Sequence, residues 1–182
     1  MKAREFNPQR LDVQEFARAG GVLEGRTPTA SLERLAAEAH PEAPPVGEVA
    51  WRAEGRQVEQ RAHAPQVWLD LSARGEIHLE CQRCLGPVQV PLEVRRSFRF
   101  VSDEARAAEE DVEAEEEVLA LTRALDVPEL IEDELLLALP LVPRHEECPQ
   151  PLPMVAEDEE EEEEEPRPNP FAALEALRKP KS

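Results

Sequence analysis

The sequence predicts an α+β fold: an antiparallel β-sheet meander with N-terminal helices and one main helix packed on it. A disordered acidic C-terminal linker and a short tail helix follow. Three observations predict it. The apolar period changes from helical to alternating at Val46 and stays alternating to Val101. A well-capped apolar helical stretch, Pro128–Leu139, comes after it. Prolines and a run of acidic residues then interrupt the chain beyond Cys148. The expected organisation is a single α+β domain over residues 1–155, an acidic disordered linker over 156–168, and a short amphipathic helix over 169–182.

In chain order, Leu11–Ala19 reads as a short helix with Leu11, Val13 and Phe16 inward. Gly20-Gly21 ends it, because glycine supplies the left-handed conformation of a helix terminus. Val22–Gly25 reads as a short strand. Thr29–Ala39 reads as a helix capped by Thr29 or Ser31, with Leu32, Leu35, Ala36 and Ala39 on one face. His40-Pro41 stops it. Alternation then runs through Val46–Arg52 and through Gln66–Ala73, where Val67, Leu69 and Leu71 share a face. It continues through Glu76–Cys81 with Ile77, Leu79 and Cys81, and through Val88–Val101. Arg74-Gly75 reads as a hairpin turn between two of these strands. The acidic stretch Ser102–Glu117 reads as a flexible loop. Val118–Leu125 fits either a helix or a strand over Val118–Leu121. Asp126 then caps the main helix, with Pro128 in its first turn and Glu129 completing a capping box. Ile131, Leu135, Ala138 and Leu139 form its stripe, widened by Leu130 and Leu137, with Glu132 and Asp133 toward water. Asn169-Pro170 starts the tail helix, whose Phe171, Leu174 and Leu177 share one side.

Bulk properties narrow the function. The 182 residues are 41% hydrophobic but only 4% aromatic, with no tyrosine, so Leu, Val and Ala must build the core. The formal charge of -19 argues against a broad electrostatic grip on nucleic acid and favours basic partners. Much of the excess lies in Glu109–Glu117 and Glu157–Glu165. The N-terminal segment has no apolar signal region, and the longest apolar stretch, Leu135–Val142, is far shorter than the ~20 residues of a membrane span. A soluble cytoplasmic protein is the expectation. With seven glycines, no phosphate-cradling loop is visible, and no serine sits beside a histidine in a recognisable motif.

The stretch carrying chemistry is Cys81-Gln-Arg-Cys84. Two thiolates at this spacing can share one metal ion, since a tight turn brings both sulfurs to one side of the backbone. His145 and Cys148 follow the main helix at a spacing of three and would complete a Cys₃His set. All four positions would then be filled, so a zinc there would be structural rather than catalytic. Unligated thiols with His145 in a polar loop remain the other reading. A redox dithiol would need a helix N-terminus after the pair, but Gly86-Pro87 and a strand follow. Arg95 and Arg99 on one strand face, with Arg83 in the cysteine turn, are the candidate contacts to RNA or a partner. A solvated face balanced by nearby acids is the other reading.

Three stretches together resemble the bacterial YceD family: Leu79-Glu-Cys-Gln-Arg-Cys84, Ile131-Glu-Asp-Glu-Leu-Leu-Leu-Ala-Leu-Pro-Leu-Val-Pro-Arg-His145, and Asn169-Pro-Phe-Ala-Ala-Leu174. Members are implicated in accumulation of 23S ribosomal RNA. The resemblance implies a non-enzymatic factor in the synthesis, processing or stability of 23S rRNA, or in large ribosomal subunit biogenesis. The partners expected are basic ribosomal or assembly proteins, with limited rRNA contact, no membrane and no small-molecule substrate. It brings no catalytic residues. The alternatives are a zinc-stabilised protein-interaction module in transcription and a CxxC thiol oxidoreductase.

Overall fold

The alternating stretches form one five-stranded sheet in the order β1-β2-β3-β4-β5. The structure, a computed structural model, describes residues 5–45, 47–61 and 64–149. The expected linker over 156–168 and tail helix over 169–182 lie outside them. The strands are β1 (Val22–Pro28), β2 (Glu48–Val58), β3 (Gln66–Glu80), β4 (Pro87–Val101) and β5 (Glu117–Ala120). The first four form the expected antiparallel meander, whereas β5 joins β4 in parallel, Arg99 opposite Val118. The class is α+β with a mixed, mostly antiparallel sheet.

The helices are α1 (Val13–Arg18), α2 (Glu33–Ala37), α3 (Glu104–Asp111) and α4 (Val127–Leu137). The side chain of Asp12 caps α1 by accepting from the Glu15 N–H, and Asp126 caps α4 by accepting from the Glu129 N–H. Phe16, Leu11 and Val13 are fully buried, as are Leu69, Phe98 and Leu135, so the sheet and the α1 and α4 segments share one core. Burying each such side chain contributes roughly 1.5–3 kcal/mol.

Several expectations are corrected. Arg74-Gly75 is not a turn: it lies inside β3, which pairs with β4 from Val67 to Glu80. The glycine makes room, because a Cβ at Gly75 would stand 2.9 Å from Cγ2 of Val49 on β2. The helix expected over Thr29–Ala39 breaks at Leu32 into a 3₁₀ turn, Thr29–Ser31, and the short α2. Neither Thr29 nor Ser31 caps α2. A carboxylate oxygen of Glu132 accepts from the Arg34 and Leu35 N–H groups instead, at 2.7 and 3.1 Å, so Glu132 caps its neighbour and does not face water. Leu137 does not widen the buried stripe of α4, being 71% exposed. The acidic stretch after Val101 contains α3, capped by Asp103. Ala107 buries there with Val101 and Val118 in a small second cluster. Strand alternation puts Val101 and Val118 on the sheet face opposite Phe98, so α3 covers one end of the otherwise open face.

Candidate metal centre

The turn between β3 and β4 is built by backbone bonds before any ligand is considered. The Cys81 N–H donates to the Gly86 carbonyl at 2.9 Å and the Leu85 N–H to the Cys81 carbonyl at 2.8 Å. Leu85 takes a left-handed conformation, φ 59°. Two outside segments hold this turn. The Gln82 N–H donates to the Pro143 carbonyl at 2.9 Å, which fixes the segment past α4 against it. Nε2 of the buried His40 donates to the Leu85 carbonyl at 3.0 Å, while its Nδ1 accepts from the Glu42 N–H.

That scaffold gathers all four candidate ligands. One donor atom from each of Cys81, Cys84, His145 and Cys148 lies within 4.8 Å of the others. The Cys81 and Cys148 sulfurs are 3.8 Å apart, and the Cys84 sulfur is 3.5 Å from His145 Nδ1. A tetrahedral ion about 2.3 Å from sulfur and about 2.0–2.1 Å from nitrogen has S···S edges near 3.8 Å and S···N edges near 3.5 Å. The donor set is therefore compatible with a structural zinc. His145 presents the correct nitrogen: its Nε2 is 3.0 Å from the Pro87 carbonyl, which requires the proton there and leaves the Nδ1 lone pair facing the sulfurs.

Electrostatics favour thiolate at Cys81 and oppose it at Cys84. Burial pushes the Cys81 thiol up, but the backbone N–H groups of His145, Arg83 and Cys84 outweigh this and draw it down to about 5. Cys84 behaves oppositely. The Gly86 N–H favours its thiolate, yet burial and the neighbouring Cys148 and Cys81 sulfurs raise it above the ordinary thiol value. Arg83 is exposed, yet its side chain lies against the cysteine cluster. Its Nε donates to the Cys148 sulfur at 3.0 Å, and an Nη reaches the His145 and Glu146 carbonyls at 3.4 and 3.3 Å.

The three arginines singled out in the sequence are thus not brought together. Arg83 sits against the cysteine cluster. Arg99 is buried and forms ion pairs with Glu110 of α3 and with Glu116. Arg95 remains exposed on the open face, 2.8 Å from Glu93. The roles of Arg83 and His40 had no sequence signal beyond adjacency to Cys84 and to Pro41, because both act on groups distant in the chain, the Cys148 sulfur and the Leu85 carbonyl.

The Arg99 hydrogen bonds hold Glu110 and Glu116 below the usual carboxylate range, helped by Arg106 at Glu110. Carboxylates depressed in the folded state add stability that is complete above their unfolded value, about 4.3, and is lost as the pH falls through the folded value. Acid unfolding should show this. A Glu110→Gln/Glu116→Gln variant should lose stability near neutrality and show a shallower decline of stability below about pH 4.3 than the parent. A parallel pair of pH–stability curves would remove Arg99 from this role.

Fold and site define a class: a small α+β domain with one sheet, whose β3–β4 turn and the segment leaving the main helix bring a Cys₃His donor set together. The chain belongs to the YceD family. The model of that family, described as large ribosomal RNA subunit accumulation protein YceD, matches residues 69–178, well over half of the 182 residues. The matched span covers most of β3, all of β4 and α4, and all four clustered side chains. Comparisons with curated proteins and with solved structures returned no match. Among the described residues no helix is long and apolar enough to cross a membrane.

Proposed function

We propose that this protein is a non-enzymatic factor in the synthesis, processing or stability of 23S rRNA and so in large ribosomal subunit biogenesis. Membership of the YceD family carries this reading. The net charge of -19 supports basic ribosomal or assembly proteins as partners, and the family's ribosomal description supports a cytoplasmic site of action. The family's description gives the transcription alternative no support. The thiol oxidoreductase alternative lacks a helix N-terminus at the cysteine pair, since β4 follows it. Depleting the protein in its own cells should lower 23S rRNA relative to 16S rRNA and reduce free large subunits. Unchanged 23S rRNA and large-subunit levels would end this reading.

Within that function Cys81, Cys84, His145 and Cys148 hold one structural zinc, which clasps the segment after α4 to the β3–β4 turn. The two donor separations that match tetrahedral edges support this. Metal analysis of purified, reduced full-length protein should give one zinc per chain, lost in Cys81→Ser/Cys84→Ser. Metal-free protein of equal stability would refute the clasp.

A further inference from the structure

We propose that the open face of the sheet contacts the phosphate backbone of RNA through Arg26, Arg52, Arg74 and Arg95. This rests on the rRNA reading above and names the surface that would carry it. Strand register assembles the four. Arg26, Ala50, Arg74 and Glu93 lie opposite one another across β1 to β4, and the next row is Glu24, Arg52, Ser72 and Arg95. Alternation puts both rows on the face away from the main core. The small side chains of Ala50 and Ser72 leave a hollow of about 650 Å³ between the guanidinium groups. Four arginines and a single carboxylate, Glu24, line it, although the whole chain carries a charge of -19.

The guanidinium groups are accessible. The side chains of Arg26, Arg52, Arg74 and Arg95 are 75%, 46%, 66% and 70% exposed. All four have carboxylate neighbours: Arg26 has Glu48, Arg52 has both Glu24 and Glu54, and Arg74 and Arg95 share Glu93 at 3.0 and 2.8 Å. Exposed ion pairs of this kind contribute about 0–1 kcal/mol, so exchanging a carboxylate for a phosphate oxygen costs little. Arg26 and Arg74, like Arg52 and Arg95, sit two strands apart, roughly 10 Å between backbones, a spread wider than one small anion spans.

The chemistry of the face selects backbone over bases. Trp68, on the same face, is covered by Arg56, whose guanidinium carbon lies 4.5 Å from the ring centroid. Trp51 bonds through Nε1 to Thr27, on the opposite face. Without a free aromatic platform the surface reads phosphate position, as helical RNA requires, and not sequence. The acidic remainder of the chain repels RNA at long range, so the contact is short-ranged and salt-sensitive.

The test titrates the full-length protein with a short A-form RNA duplex at several salt concentrations. The same titration is run on Arg52→Gln/Arg74→Gln and on Arg18→Gln, an exposed arginine of α1. The parent should bind the duplex at low salt. The double variant should bind roughly tenfold more weakly, with a salt slope shallower by about 1 per arginine removed. Arg18→Gln should match the parent, and thermal melts of all three should coincide. No duplex binding by the parent, or equal binding by the double variant, would overturn the proposal. So would a parent preference for polyglutamate over the duplex, which would mark the face as a site for an acidic protein. None of these outcomes depends on cellular 23S rRNA levels, which test the functional reading separately.

Discussion

Cys81→Ser/Cys84→Ser should abolish zinc binding and lower the unfolding free energy by about 4 kcal/mol where free zinc stands roughly 1,000-fold above its dissociation constant. Unlike a small zinc finger, the domain should stay folded, because its core of Phe16, Leu69, Phe98 and Leu135 lies in the sheet and helices. The loss should be local in structure. Hydrogen exchange should rise in the β3–β4 turn and in residues 141–148, which the Gln82–Pro143 bond, Arg83 and the clustered ligands hold together. Chelator should destabilise the parent by a similar amount and leave the double variant unchanged. Equal chelator effects in both proteins would dissociate the cysteines from the metal.

Phe16→Ala should cost about 3–5 kcal/mol, the range for a large aromatic deleted from a packed core. Phe16 has no exposed surface, and Phe6 packs edge-on against it with ring centroids 5.0 Å apart. Two glycines shape its cavity. A Cβ at Gly21 would stand 2.3 Å from the ring, and one at Gly55 would stand 2.7 Å from the ring and 2.9 Å from the backbone of Ala17. The expected effect contrasts with that of the cysteine variant: lower stability with and without chelator, and an unchanged zinc content. Urea unfolding followed by circular dichroism separates the two. Because the family model begins at residue 69, this variant also asks whether the segment before it completes the core. A change under 1 kcal/mol would mean that it does not.

Much of this was legible because a strand writes its inward face into every second residue. Val67, Leu69, Leu71, Ala73, Ile77 and Leu79 keep one parity through β3, Cys81 just beyond it continues that parity, and all are buried. That unbroken parity across Gly75 was the signal that Arg74-Gly75 is not a turn. It was masked because a glycine placed to clear Val49 looks the same in sequence as one placed to bend the chain. Local caps were equally legible, and Asp126 caps α4 through the Glu129 N–H as its spacing implies. What failed depends on distant partners. Glu132 caps α2 from 97 residues away, and Arg99 on β4 pairs with the acids of α3 and Glu116, which looked like solvated charge.

The site divides in the same way. Cysteine and histidine spacing announced the four side chains that meet. The buttresses, Arg83 on Cys148 and His40 on the Leu85 carbonyl, engage a distant sulfur and a backbone oxygen, and spacing carries no trace of either. The arginine face is likewise invisible in any one strand. It arises only when β1 to β4 are set in register, which replaces a linear basic segment with Arg95 and three arginines from other strands.

X-ray absorption at the zinc edge on reduced full-length protein tests the clasp most directly. A first shell of three sulfurs at about 2.3 Å and one nitrogen at about 2.0–2.1 Å is the expected result. A shell containing water or carboxylate oxygen in place of a sulfur, or protein purified without zinc that melts at the same temperature after zinc is added, would contradict it.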